Sequence, residues 1–186
     1  MDIDNSGDNK ENESFGASDK GPALDEKPIL TAEQTSDEER QAEYEYLRDM
    51  DDIPEIPDDI AEKFSEVFNA FKAYAYKESN GDSEDYNRSC DQVKKAFFFA
   101  YKAHRNQKRR TGEMYIIHPI ATAAILVELE FDPGTVVAGL LHDTVEDTVV
   151  DIPLIVELFG ENIGLLVNGL TKINKMTLPL RRRSRR

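Results

Sequence analysis

From residue 57 onward, large apolar side chains recur every third or fourth position. Ile60, Phe64, Val67, Phe68, Phe71 and Tyr74 share one face of a helix, and Pro57, Asp58 and Asp59 suit its first turn. The SNGDS stretch (79–83) predicts a turn. A second helix follows, with Tyr86, Cys90, Val93, Phe97 and Tyr101 on one face. The run Phe97-Phe98-Phe99 is wider than one stripe, so this helix is expected to be buried on more than one side. RNQKRRTGE (105–113) reads as a basic loop. In MYIIHPIATAAILVELE the residue before proline, His118, is biased away from helix, so an extended piece is expected there. A helix then starts at Pro119 and runs to about Glu130. Asp132-Pro133 caps another, over 133–148. Short helices follow from Asp151 to Phe159, stopped by Gly160, and from Glu161 to about Lys172. No alternating strand and no repeat is present. The expectation is an all-α fold of at least five helices around one core.

Residues 1–56 lack this periodicity. They hold eighteen acidic residues against five basic ones, so the formal charge of -14 lies almost wholly there. Few large apolar residues occur among them, and a disordered, solvated extension is expected, with partner docking as a lesser alternative. The predicted organisation is this extension (1–56) followed by a helical domain (57–186). One cysteine, Cys90, excludes a disulfide within the chain and fits a reducing compartment. No apolar run reaches the roughly 18–20 residues that span a bilayer. The acidic N-terminus is unlike a signal peptide, so a cytoplasmic, membrane-free protein is expected. The arginines of RRRSRR (181–186) suit a solvated loop better than a nucleic-acid patch.

Chemistry concentrates in GLLHDTVEDT (139–148). On one helix, His142, Asp143, Glu146 and Asp147 span a single face, because a helix turns about 100° per residue. Three carboxylates among apolar neighbours would repel one another, and a divalent cation resolves that conflict. A solvated acidic face with a pairing histidine explains the same letters. His118, 24 residues upstream and flanked by apolar residues, changes the balance. A helix out and a helix back would return the chain to its neighbourhood, where His118, His142 and Asp143 can meet at one cation.

A histidine followed by His-Asp on a later helix resembles the HD-type metal-dependent phosphohydrolases. The wider stretch AHRNQKRRTGEMYIIHPIATAAILVELEFDPGTVVAGLLHDTVEDT, followed by FGENIGLLVNGLTKI, is similar to the N-terminal hydrolase domain of the RelA/SpoT family of alarmone synthetase/hydrolases. The resemblance covers about residues 85–176. It implies an HD-type helical bundle and a manganese ion (Mn²⁺) held by His118, His142 and Asp143, with Glu146 and Asp147 as the catalytic acidic pair. The implied reaction is hydrolysis of the 3′-pyrophosphate of ppGpp or pppGpp to GDP or GTP and pyrophosphate. A bound cation and a nearby carboxylate suit that chemistry.

The family's usual Gly-Gln-x-Arg-x-Ser-Gly-Glu-Pro-Tyr appears here as NQKRRTGEMY. The match implies that Arg109 meets the guanine base, with Arg110 and Thr111 at neighbouring nucleotide-contacting positions. Such a basic loop attracts a polyanion in any case; an ordinary surface loop is the alternative. Asn106 stands for glycine and Met114 for proline, departures that bear on loop shape. His104 is expected to be structural or to support the site from behind, and Cys90 to be inert.

The family's last metal-binding aspartate, in a stretch like Leu-Ala-Asp-Arg-Leu-His-Asn, has no counterpart before Arg186. The expectation is therefore the front part of a longer protein, or a truncated product. Guanine nucleotide is the implied partner; no membrane or nucleic acid is implied, and ribosome association would belong to C-terminal domains absent here. Two other readings stay open: a non-catalytic nucleotide-binding fragment, and an HD-type phosphohydrolase acting on other nucleotides.

Overall fold

The computed structural model describes residues 35–79 and 82–175. Among them are eight helices: α1 (Asp37–Arg48), α2 (Asp58–Glu78), α3 (Ser83–Ala103), α4 (Ile117–Glu128), α5 (Pro133–Leu141), α6 (Thr144–Asp147), α7 (Ile152–Phe159) and α8 (Glu161–Lys175). Among the described residues there is no strand, only one isolated bridge between Lys108 and Met114. None of these helices is long and apolar enough to cross a membrane. The all-α expectation holds.

α5 is the centre of the bundle. Val136, Val137, Ala138, Leu140 and Leu141 are all buried, and the helix packs on α3, α4 and α8. Asp132 caps it by accepting from Thr135 N at 3.1 Å, and Pro133 occupies the first turn, where a missing N–H costs nothing. Gly139 gives α4 room: a Cβ there would lie 2.4 Å from Leu126 Cδ1. An aromatic seam joins α2 to α3, with the Phe64 and Phe97 rings stacked at 3.7 Å. Phe97 and Phe99 are both buried, so α3 is covered on more than one side as its phenylalanine run implied. Gly160, at φ 90°, ends α7 and turns the chain into α8.

Three expectations need correction. The extension expected over 1–56 does not hold for residues 37–48, which form α1. Ser36 and Glu39 make a reciprocal capping box at its start. Leu47 is fully buried, and the buried Lys102 ammonium of α3 donates to the Tyr46 and Asp49 carbonyls, closing the C-terminal end. Arg48 and Glu157 of α7 form a two-pronged ion pair, both bonds 2.7 Å. Residues 1–34 and the arginine run 181–186 lie outside the described residues, as does part of the SNGDS turn. Second, His118 is helical. α4 begins at Ile117, and Pro119 sits in a first turn whose N–H groups need no helical partner. Third, the helix expected over 133–148 is broken after Leu141. Thr144 Oγ1 donates to the Leu141 carbonyl at 2.7 Å and Thr148 Oγ1 to the Thr144 carbonyl at 2.6 Å. Such threonine back-bonding competes with the helical ladder and bends it. α6 is a single turn as a result.

Candidate metal centre

The break between α5 and α6 sets the site. His142 closes α5 and Asp143 opens α6, so the pair sits on a bend with His142 Nε2 3.0 Å from Asp143 Oδ1. α4 runs back beside α5 and brings its first turn to the same place, where His118 Nε2 lies 3.4 Å from Asp143 Oδ2. The two imidazole rings meet edge to face at 5.2 Å. One ligand atom from each of His118, His142 and Asp143 lies within 4.8 Å of the others. His142 and Asp143 have side chains only 12% and 10% exposed, while His118, at 39%, faces solvent. The centre is thus walled on one side and open on the other.

The donor set fits a divalent cation. The His142 Nδ1 sits 2.7 Å from the Gly139 carbonyl, so Nδ1 carries the hydrogen and Nε2 points its lone pair at Asp143. Without a cation that contact needs a second proton on the ring. Burial works to lower the His142 pKa, but the Asp143 carboxylate bonded to it, the Gly139 carbonyl and Glu146 outweigh burial and hold it above the ordinary value. Burial works to raise Asp143, yet the bond and charge of His142, the Tyr115 hydroxyl and the charge of His118 bring it below its ordinary value. A paired, charge-hungry cluster of two imidazoles and a carboxylate is a ligand set that several divalent metals accept.

The acidic pair divides. Asp147 accepts from the Tyr115 hydroxyl at 2.6 Å, and the same hydroxyl lies 2.8 Å from Asp143 Oδ2. Glu146 is half-buried on the same turn, close enough for its charge to act on His142. Arg109, Arg110 and Thr111 are exposed in a tight loop closed by Arg109 N to Glu113 O at 2.7 Å, with Gly112 at φ 89°. Thr111 Oγ1 donates to Glu113 at 2.9 Å. The loop runs straight into Tyr115, whose N–H donates to the Gln107 carbonyl at 3.0 Å. Basic loop and metal cluster are therefore joined through one tyrosine.

His104 is 1% exposed and sits behind the cluster, stacked on Tyr115 at 4.7 Å, as a structural or supporting role implies. Its Nδ1 lies 2.7 Å from Gln107 Oε1, and Gln107 Nε2 donates to the Asp147 carbonyl at 2.5 Å. Gln107 and Tyr115 have no role implied by the sequence alone. Both stand at matching positions of the quoted loop motif, and that was the available signal. Cys90 is buried, in keeping with an inert thiol.

Comparison with known proteins agrees with this geometry. A family model described as an HD domain matches residues 96–186. A protein of Aquifex aeolicus named guanosine-3′,5′-bis(diphosphate) 3′-pyrophosphohydrolase is 47% identical over 91 residues, covering 49% of this chain and 13% of that protein. A GTP pyrophosphokinase of Myxococcus xanthus is 45% identical over 87 residues, covering 47% of this chain and 12% of its own length. A GTP pyrophosphokinase of Streptomyces coelicolor is 48% identical over 85 residues, covering 46% of this chain and 10% of its own length. The chain spans only 10–13% of the length of these relatives.

Proposed function

We propose that this chain, matched over residues 96–186 by a family model described as an HD domain, is of the RelA/SpoT type and carries the metal-dependent activity that removes the 3′-pyrophosphate from ppGpp or pppGpp. The observation that carries the reading is the convergence of His118, His142 and Asp143 on one point, beside an acidic turn and below a basic loop. The name of the Aquifex relative supports the substrate. Location in the cytoplasm and a guanine nucleotide as partner belong to the same reading.

His118, His142 and Asp143 would hold Mn²⁺, which supplies Lewis acidity that makes water nucleophilic near neutral pH and offsets charge on phosphate oxygens. Asp147 and Glu146 stand beside that point to take the proton from the attacking water. Water attacks the phosphorus bonded to the ribose 3′ oxygen, the O3′–P bond breaks, pyrophosphate leaves carrying the oxygen of that water, and a proton restores the 3′ hydroxyl of the released GDP or GTP. Arg109 offers a flat guanidinium for the guanine ring, and Lys108 and Arg110 place positive charge where a polyanion arrives. His142 is held in one tautomer by the Gly139 carbonyl, so its lone pair stays aimed.

The test uses the full-length protein purified free of metal. Pyrophosphate release from ppGpp should require added Mn²⁺ and disappear in a His142→Ala, Asp143→Ala double variant. Normal activity in that variant sinks the proposal. A substrate panel in which deoxynucleoside triphosphates or cyclic nucleotides are preferred would move it to a different HD-type phosphohydrolase.

A further inference from the structure

Resting on that reading, we propose that Tyr115 is a positioning residue whose hydroxyl holds the metal-binding carboxylate of Asp143 and the proton-accepting carboxylate of Asp147 in one fixed relation. The phenol oxygen is 2.8 Å from Asp143 Oδ2 and 2.6 Å from Asp147 Oδ2. Among the described residues, no other side chain bridges the two by hydrogen bonds. Asp143 and Asp147 are four residues apart, separated by one turn of bent helix, and each carries negative charge. Left alone, their side chains would swing apart toward solvent or toward different partners. A single neutral hydroxyl between them removes that freedom.

The ring is itself held on every side. His104 stacks against it at 4.7 Å with planes 25° apart, and His118 meets its edge at 6.2 Å and 80°. Its N–H donates to Gln107 O at 3.0 Å, and its carbonyl accepts from His118 N at 2.9 Å. The same Gln107 grips the main chain of Asp147 through its amide. Asp147 is therefore anchored twice, by Gln107 at the backbone and by Tyr115 at the carboxylate. The contacts of the ring are packing contacts that phenylalanine would keep. Among the described residues, the hydroxyl bonds only to the two carboxylates.

A phenol has one hydrogen to give. It can serve either carboxylate without movement of the ring, so neutralising Asp143 with a cation turns the hydrogen toward Asp147. Loading of the metal and the orientation of the proton acceptor are coupled through this one group. Partners of this kind behind a metal ligand typically affect metal affinity or activity by about 10–100-fold when removed.

The experiment compares the full-length wild type with Tyr115→Phe, and with Tyr44→Phe as a control that loses a hydroxyl bonded to the Val149 carbonyl. Four quantities are read: the melting temperature, Mn²⁺ affinity by calorimetry, and kcat and KM on ppGpp. Tyr115→Phe should melt close to wild type, with kcat down about 10–100-fold, KM within about threefold, and Mn²⁺ bound several-fold more weakly. Tyr44→Phe should leave kcat and Mn²⁺ affinity within about twofold. In an Asp147→Asn background, Tyr115→Phe should cost little further in kcat, because the acceptor it orients is gone. Tyr115→Phe within about twofold of wild type in both kcat and Mn²⁺ affinity overturns the proposal, as does a full additional loss in the Asp147→Asn background. If the wild type binds Mn²⁺ but leaves ppGpp intact, the hydrolase reading fails and the affinity comparison still decides Tyr115. If the wild type binds no Mn²⁺, both fail together.

Discussion

Arg105 and Glu43, 62 residues apart, face each other as a two-pronged ion pair, with Nη1 to Oε1 at 2.5 Å and Nη2 to Oε2 at 2.7 Å. The pair ties α1 to the end of α3, two residues before the Gln107 that holds Asp147. Both side chains are mostly covered, at 32% and 22% exposure, and the geometry is the bidentate one that makes such pairs worth more than ordinary surface pairs. Glu43→Gln keeps the shape and removes the charge. It is expected to lower stability by about 1–2 kcal/mol. A shifted urea midpoint with an unchanged slope is the readout; an unshifted midpoint would mean that α1 is held by buried Leu47, the Lys102 bonds and the Arg48–Glu157 pair without help from Glu43.

Metal binding should depend on pH in a direction set by His142. Only the neutral imidazole is a ligand. Burial works against the charged ring, but Asp143, the Gly139 carbonyl and Glu146 outweigh it and raise the pKa. The proton therefore competes with the metal up to a higher pH than an ordinary histidine, near 6.5, would allow. Asp143, shifted the other way, stays ionised throughout. Calorimetric Mn²⁺ titrations at intervals from pH 6 to pH 8.5 should show affinity still rising above neutrality, with proton release on binding. Affinity already level from pH 6.5 upward would contradict the raised value.

His104 should shape acid stability. Burial is the largest influence on it and lowers its pKa, only partly countered by the bond to Gln107 and the charges of Asp143 and Asp147. In the unfolded chain it returns to about 6.5. A depressed folded value means that the unfolded state takes up the proton first. The stabilisation is complete above about pH 6.5 and is lost as pH falls from there toward the folded value. His104→Gln, which cannot charge, should flatten the fall in urea midpoint between pH 7 and pH 5. Equal slopes in both proteins would rule out the imidazole as the cause.

Arg109 is exposed and meets no carboxylate of the cluster, so its contribution should be to binding. Arg109→Ala is expected to raise KM for ppGpp by about tenfold, roughly 1.4 kcal/mol, with kcat within about twofold. The difference between wild type and variant should shrink as salt is raised, since exposed charges are screened. A kcat defect with unchanged KM would place Arg109 at the chemistry instead.

Much of the helical layout was legible in the letters. The apolar stripes of α2 and α3, the Asp132-Pro133 start of α5 and the Gly160 stop of α7 are local signals, carried by spacing, capping and backbone freedom within one or two turns. Even the start of α1 was written plainly as Ser36-Asp37-Glu38-Glu39, a capping box. Its acidic composition pointed the other way, because the groups that hold α1 down, Lys102, Arg105 and Glu157, lie 50 residues or more along the chain. Composition counts the charges of a segment and is blind to the distant partners that neutralise them.

By itself, then, the sequence determined the all-α class, most of the helices and the presence of the chemically able residues His118, His142, Asp143, Glu146 and Asp147. Each of those follows from side-chain chemistry or short-range spacing. Tertiary structure decided how they stand to one another. It bent the helix after Leu141, put His118 inside a helical turn and split the acidic pair, leaving Asp147 on Tyr115. The reason is physical: a hydroxyl 2.6 Å from a carboxylate depends on where two helices and a loop meet, and that meeting is set by packing among residues far apart in the chain.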